Sequence, residues 1–257
     1  MKLLIKYSAI SIVFLALLTQ GAWAATTAEL INIAGMQRML SQKIAKAYFF
    51  YGKGVRPSKT KKQLLDSIAL FDKNHQIIQS SVSDSNVQDM LMFIEMSKDE
   101  LLPLAKQPFN KDNGSLMLDY SETLLEGSND IVKRIEATTK SKTDKIVNIS
   151  GRQRMLTQRI AKFYIAYQSG FKDVNTINQL KQSVKEFEDA HIILINNKSN
   201  TTQISNELNK VAKLWNIVSK FYKDVERGGL PVIVLSSTDK IMTSMNNVTK
   251  MYVKLKK

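Results

Sequence analysis

Cysteine is absent from all 257 residues, and that single absence removes four kinds of chemistry. There can be no disulfide framework, no thiolate metal site, no c-type haem attachment and no cysteine nucleophile. Stability must then come from a packed core, which a chain of this length can bury. Proline occurs four times and glycine ten times, so long stretches run without a breaker. No stretch shows the period-two alternation of a strand. Glycine-rich phosphate loops and serine-nucleophile motifs are missing as well. Acidic pairs such as Asp99-Glu100 have no partner that would suggest acid–base work. The chain is therefore expected not to be an enzyme and to need no cofactor.

Long apolar runs are nearly absent too, and the one present is at the start. Lys2 and Lys6 precede an apolar run from Ile10 to Leu18, and Ala22-Trp23-Ala24 follows with the small-x-small pattern of a secretory cleavage site. The run is short for a membrane span, which needs about 20 apolar residues. Residues 1–24 are thus expected to be a signal peptide cleaved after Ala24, with an uncleaved anchor as the alternative, and the remainder an exported protein.

Acidic residues are outnumbered, 23 against 37 lysines and arginines, for a formal charge of +14. Loss of the leader would leave +12. The basic residues read as spread along the chain rather than clustered, and an exported protein rarely meets nucleic acid. Small anions, acidic partners or an anionic envelope surface are the expected counterparts, with no nucleic acid among them.

What the sequence does contain is a repeat. The run from Asn32 to Gly54 returns from Asn148 to Gly170, identical at 14 of 23 positions without a gap. Each copy should form one structural unit. Apolar residues at helical spacing form a stripe through Ile33, Met36, Leu40, Ile44, Ala47 and Tyr51 in the first copy. Ile149, Leu156, Ile160, Phe163 and Tyr167 repeat it in the second, with Arg152 intruding. Second helices are expected over 59–80 and 174–196, where the 116-residue offset still pairs Phe71 with Phe187 and His75 with His191. Third helices follow over 87–106 and 207–226, and breaks at 108–114 and 228–231 precede the fourth. The predicted fold is all-α: two tandem antiparallel four-helix bundles. The polar stretch from Thr138 to Asp144 is the expected boundary, with domains at 25–140 and 141–257.

Much of what the repeat retains is polar, which packing alone does not explain. At 100° per residue, Asn32, Gly35, Met39, Gln42 and Lys46 fall within an arc of about 80°, with Arg38 at its border. Asn148, Gly151, Met155, Gln158, Lys162 and Arg154 repeat the arrangement. A guanidinium offers a rigid fork of donors, amides can complete a shell, and glycine allows close approach. That inventory suits a small planar oxyanion.

The runs Gly35-x-x-Arg38-Met39-x-Ser41-x-Lys43 and Gly151-x-x-Arg154-Met155-x-Thr157-x-Arg159 resemble the first-helix motif of the NarX-like N-terminal sensor family. That family includes the sensing domain of the type IV pilus chemotaxis transducer PilJ. The resemblance implies a periplasmic four-helix bundle and casts Arg38 and Arg154 as the grip on nitrate or nitrite. Gly35 and Gly151 would take the close-approach positions, while Asn32, Asn148, Gln42 and Gln158 would add polar contacts. The family's nitrate sensors carry one copy and pair by dimerising. Here the two copies could pair within one chain or between the chains of a homodimer. With no further module before Lys257, the chain is expected to hand its signal to a membrane receptor, transducer or transporter component. The competing expectation is a ligand-free adaptor or scaffold that docks on a type IV pilus or chemotaxis transducer.

Other residues fit a packing role. Asp72 and Glu188 sit three residues before His75 and His191 and could add a weak metal ligand, but helix packing is the favoured reading and no metal site is expected. Tyr48, Tyr51, Tyr164 and Tyr167 are read as core, and Met36, Met39, Met90, Met92 and Met96 as adaptable core filler.

Overall fold

In a computed structural model, residues 25–255 are described, and their regular structure is helical throughout. The leader expected at 1–24, with its cleavage site after Ala24, lies outside the described residues. Eight α-helices follow in order: α1 (Thr27–Gly52), α2 (Pro57–Ser81), α3 (Ser85–Leu104), α4 (Lys111–Ala137), α5 (Lys142–Gln168), α6 (Val174–Ile195), α7 (Thr202–Lys223) and α8 (Pro231–Lys254). A single 3₁₀ turn, Val225–Arg227, lies before α8.

Short polar side chains set most of the helix starts. Thr26 and Glu29 form a reciprocal capping box at α1. Asp84, Asn110, Ser141, Asp173 and Thr201 each accept a backbone N–H of the first turn of the helix that follows. Pro57 and Pro231 open α2 and α8, where their missing N–H costs nothing. The Thr201 cap corrects one expectation. It starts α7 at Thr202 rather than near residue 207, so the polar turn before it is shorter than the sequence suggested. The offset between copies then moves only from 116 to 117, pairing Leu91 with Leu208 and Leu124 with Ile241, all buried.

In the first half α1 packs against α2 and α4, and α3 against α4. In the second, α5 packs against α6 and α8, and α7 against α8. The most extensive contact in the fold lies between the halves, where α1 runs along α5. Buried apolar residues of both halves form one continuous cluster, so the two four-helix units share a core instead of standing apart. Between α4 and α5 the chain leaves helical geometry at 138–141.

Enclosure by three neighbours removes the amphipathic character expected of the first helices. From Gln37 to Phe50 every residue of α1 except Lys43 is buried, and from Gln153 to Tyr167 every residue of α5 except Arg159. The apolar stripe is less regular than it looked. Ile33 and Met36 are half-buried and Tyr51 is exposed. Met92 and Met96 depart further. At 65% and 72% exposure they lie on the surface of α3 and fill no core. No helix among the described residues is long and apolar enough to cross a membrane.

Candidate functional site

The α1–α5 contact places the polar strips of the two copies against each other. Arg38 is 2% exposed and Arg154 not at all. They converge over Gly35 and Gly151. A Cβ at Gly35 would lie 3.2 Å from Nη2 of Arg38 and 3.6 Å from Nη2 of Arg154. A Cβ at Gly151 would meet the same two atoms at 3.7 and 3.3 Å, in the reverse order. Both guanidiniums therefore lie over both glycines, one from each half, about a pseudo-two-fold axis. Pairing within one chain thus brings the two arginines together without a second copy.

Each guanidinium is held from its own half and from the other. Arg38 donates through Nη1 to Asn129 Oδ1 on α4 at 3.1 Å and through Nη2 to Asn148 Oδ1 on α5 at 2.7 Å. Arg154 donates through Nη1 to Asn246 Oδ1 on α8 at 3.0 Å and through Nη2 to the Asn32 carbonyl on α1 at 3.2 Å. All four acceptors are neutral. Neither arginine forms an ion pair among the described residues, and both Nε atoms are buried without a partner. The Glu136 carboxylate accepts from Nδ2 of Asn148, and its charge bears on Arg38.

Two like charges facing each other out of water are costly in their ionised form. Burial, then the facing Arg154, push the Arg38 guanidinium down to about 9, with Glu136 opposing. Burial alone takes Arg154 down to about 10. The buried lysines of the same strips are treated differently. Lys46 of α1 is paired with Asp239 of α8 at 3.0 Å, and Lys162 of α5 with Glu122 of α4 at 2.6 Å. The lysines are neutralised by carboxylates and the arginines are not.

The remaining site candidates divide. Asn148 and the Asn32 backbone touch the arginines, while the Asn32 side-chain oxygen is buried without a partner. Gln42 donates to Ser41 Oγ and to the Ser121 carbonyl of α4, which commits its amide to packing. Gln158 has both polar side-chain atoms buried and unpartnered. Sequence reasoning missed Asn129, Asn246 and Glu136. The two asparagines recur at the 117 spacing of the fourth helices, a signal lost once the offset was followed only to the second helices.

His75 Nε2 lies 2.9 Å from a Glu95 carboxylate oxygen, and His191 stacks on Phe187 with centroids 5.9 Å apart. Tyr48, Tyr164 and Tyr167 are buried.

Two segments of the chain, residues 23–91 and 137–245, match the family model described as the N-terminal region of type IV pili methyl-accepting chemotaxis transducers (PilJ). One segment covers each copy of the arginine motif. The match concerns the pilus-transducer side of the resemblance and carries nothing specific to nitrate. No curated protein and no solved structure matches the chain.

Proposed function

The chain belongs to the family of type IV pili methyl-accepting chemotaxis transducer N-terminal domains, and from that premise we propose a non-enzymatic, periplasmic sensor that takes a small oxyanion between Arg38 and Arg154. Nitrate and nitrite are the leading candidates, because a planar monovalent anion can accept from two guanidinium forks at once. The observation that carries the reading is the unneutralised pair. Two wholly buried guanidiniums converge over Gly35 and Gly151 with only amide oxygens as partners, beside lysines that each have a carboxylate. An anion there would offset the burial that lowers both arginines and the facing charge that lowers Arg38 further, and each charge-assisted hydrogen bond would contribute about 1.5–3 kcal/mol. Because the arginines come from opposite halves, liganding draws α1 toward α5. A membrane receptor, transducer or transporter component would read that change in packing.

Calorimetry with nitrate and nitrite tests this directly. Saturable heat is expected, and it should vanish in the Arg38→Ala plus Arg154→Ala double variant.

A second reading is favoured by two observations, the complete burial of both guanidiniums and the family match to a pilus transducer. In it the arginines lock the two halves together, and the chain is a ligand-free scaffold docking on a pilus or chemotaxis component. No heat with either anion, together with capture of such a component, would select it.

A further inference from the structure

Although basic residues occur along the whole chain, several of them line a groove between α7 and α8. Lys210 and Lys213 of α7, Lys240 of α8, and Arg56 and Lys59 at the start of α2 line an open cavity of about 700 Å³. All five are exposed. A second cavity of about 470 Å³ shares Lys210 and extends the groove past Lys250 and Lys254. Two carboxylates line it and both are already engaged: Asp239 by Lys46 and Lys59, Glu207 by Lys210. Arg56, Lys213, Lys240, Lys250 and Lys254 form no ion pair among the described residues. Arg56 also holds the only positive φ outside glycine among them, 49°.

The duplication supplies an internal comparison. At the 117 offset Lys210 and Lys213 correspond to Phe93 and Met96, and Thr243 and Asn247 to Glu126 and Asp130. The same helix pair in the first half, α3 and α4, holds a cavity of about 590 Å³ whose lining includes Met90, Phe93, Glu126, Asp130 and Lys133, the last corresponding to Lys250. Packing therefore does not require lysine at these positions. At these four positions one copy is apolar and acidic and the other basic and neutral.

We propose that the α7–α8 groove binds an acidic, extended polypeptide segment of a partner protein. The lysines are strung along the groove instead of meeting at a point. Lys240 to Lys254 spans about 21 Å of helix, the length of about six extended residues. Leu214, Thr243 and Met251 give the walls apolar and hydroxyl surface, suited to the methylenes and backbone of a peptide. A furrow between two helices can be followed along its length by an extended chain. Nothing in this argument uses Arg38 or Arg154, so it stands or falls apart from the oxyanion reading.

Fluorescence anisotropy of the full chain with a labelled oligo-glutamate peptide of about eight residues, long enough for that span, tests the proposal. Saturable binding that weakens with salt is expected. Lys213→Glu plus Lys240→Glu should weaken it about tenfold or more, and Phe93→Ser, at the corresponding position of the first half, should leave it unchanged. Both lysines are exposed, so unaltered circular dichroism should accompany the loss. No binding, or equal binding by the charge-reversed variant, would overturn the proposal. So would retention by phosphatidylglycerol vesicles or polyphosphate with none by the peptide.

Discussion

Lys46 of the first half reaches Asp239 of the second at 3.0 Å, and neither belongs to the same four-helix unit as the other. Its counterpart runs the opposite way, from Lys162 of the second half to Glu122 of the first. These crossed pairs pin the register of α1 against α5, and with it the distance between Arg38 and Arg154. Removing one partner of a buried pair strands the other. Asp239→Ala leaves the wholly buried Lys46 without a counter-charge and should cost about 3–5 kcal/mol. Lys46→Met should cost less, because Asp239 keeps Lys59 at 2.6 Å and Gln63 at 2.7 Å. Urea unfolding of the two variants gives the comparison, and equal losses would contradict it.

The same carboxylates fix the acid limb of stability. Burial alone would raise Glu122, but Lys162 and Arg159 outweigh it and hold the carboxyl down to about 2, from an ordinary 4.5. Asp239 is likewise held to about 2, from 3.8, with Lys46 the largest of the charges that overcome its burial. Below 4.5 the unfolded chain takes up protons that the folded chain refuses. Stability contributed by these groups is complete above that pH and is lost as pH falls toward 2. Urea midpoints measured between pH 5 and 2.5 should drop steeply for the native chain. The drop should be shallower in Glu122→Gln plus Asp239→Asn, which lacks the titrating groups.

Much of the fold was legible because the repeat and the helical period are local signals. Caps such as Thr26 and Asp84, and breakers such as Pro57 and Pro231, mark where helices begin within a few residues. The motif likewise picked out Arg38, Arg154, Gly35 and Gly151, since polar residues retained in both copies needed a reason beyond packing. What could not be read was burial. A strip of Asn32, Gln42 and Lys46 looks like a solvated face until a second copy covers it, and only the tertiary pairing of α1 with α5 does so. Asn129 and Asn246 stayed hidden for the same reason, being brought to the arginines from helices about 90 residues away. Met92 and Met96 were mistaken for core because apolar character alone does not reveal which face of α3 meets water.

Gly35→Ala separates close approach from stability. Alanine is favoured over glycine in a helix by about 0.8–1 kcal/mol. Its methyl would meet Arg38 Nη2 at 3.2 Å, which the end of a flexible side chain can relieve by shifting. The melting temperature should stay within about 5 °C of the native value. Nitrate binding should nevertheless fall, because the guanidinium no longer lies over the backbone. Native affinity in Gly35→Ala and Gly151→Ala, measured by calorimetry, would remove the glycines from the site.

An internal counter-ion offers the sharpest test of the unneutralised pair. Asn246 Oδ1 already accepts from Arg154 Nη1 at 3.0 Å, so Asn246→Asp exchanges an amide for a carboxylate of the same shape at hydrogen-bond distance. Burial is the cause that lowers Arg154, and a carboxylate beside it supplies the missing opposite charge. The bond already has a charged donor, so the gain is the added opposite charge less the cost of burying it, and the variant should be the more stable by about 1 kcal/mol in urea unfolding. The same carboxylate competes with any anion for Arg154, and nitrate affinity should fall at least about tenfold, the equivalent of 1.4 kcal/mol. Greater stability with weaker binding marks the pair as a binding site held at a cost to the fold. If Asn246→Asp is destabilised instead, the charge at Arg154 is already balanced, and the argument for an anion between the arginines loses its footing.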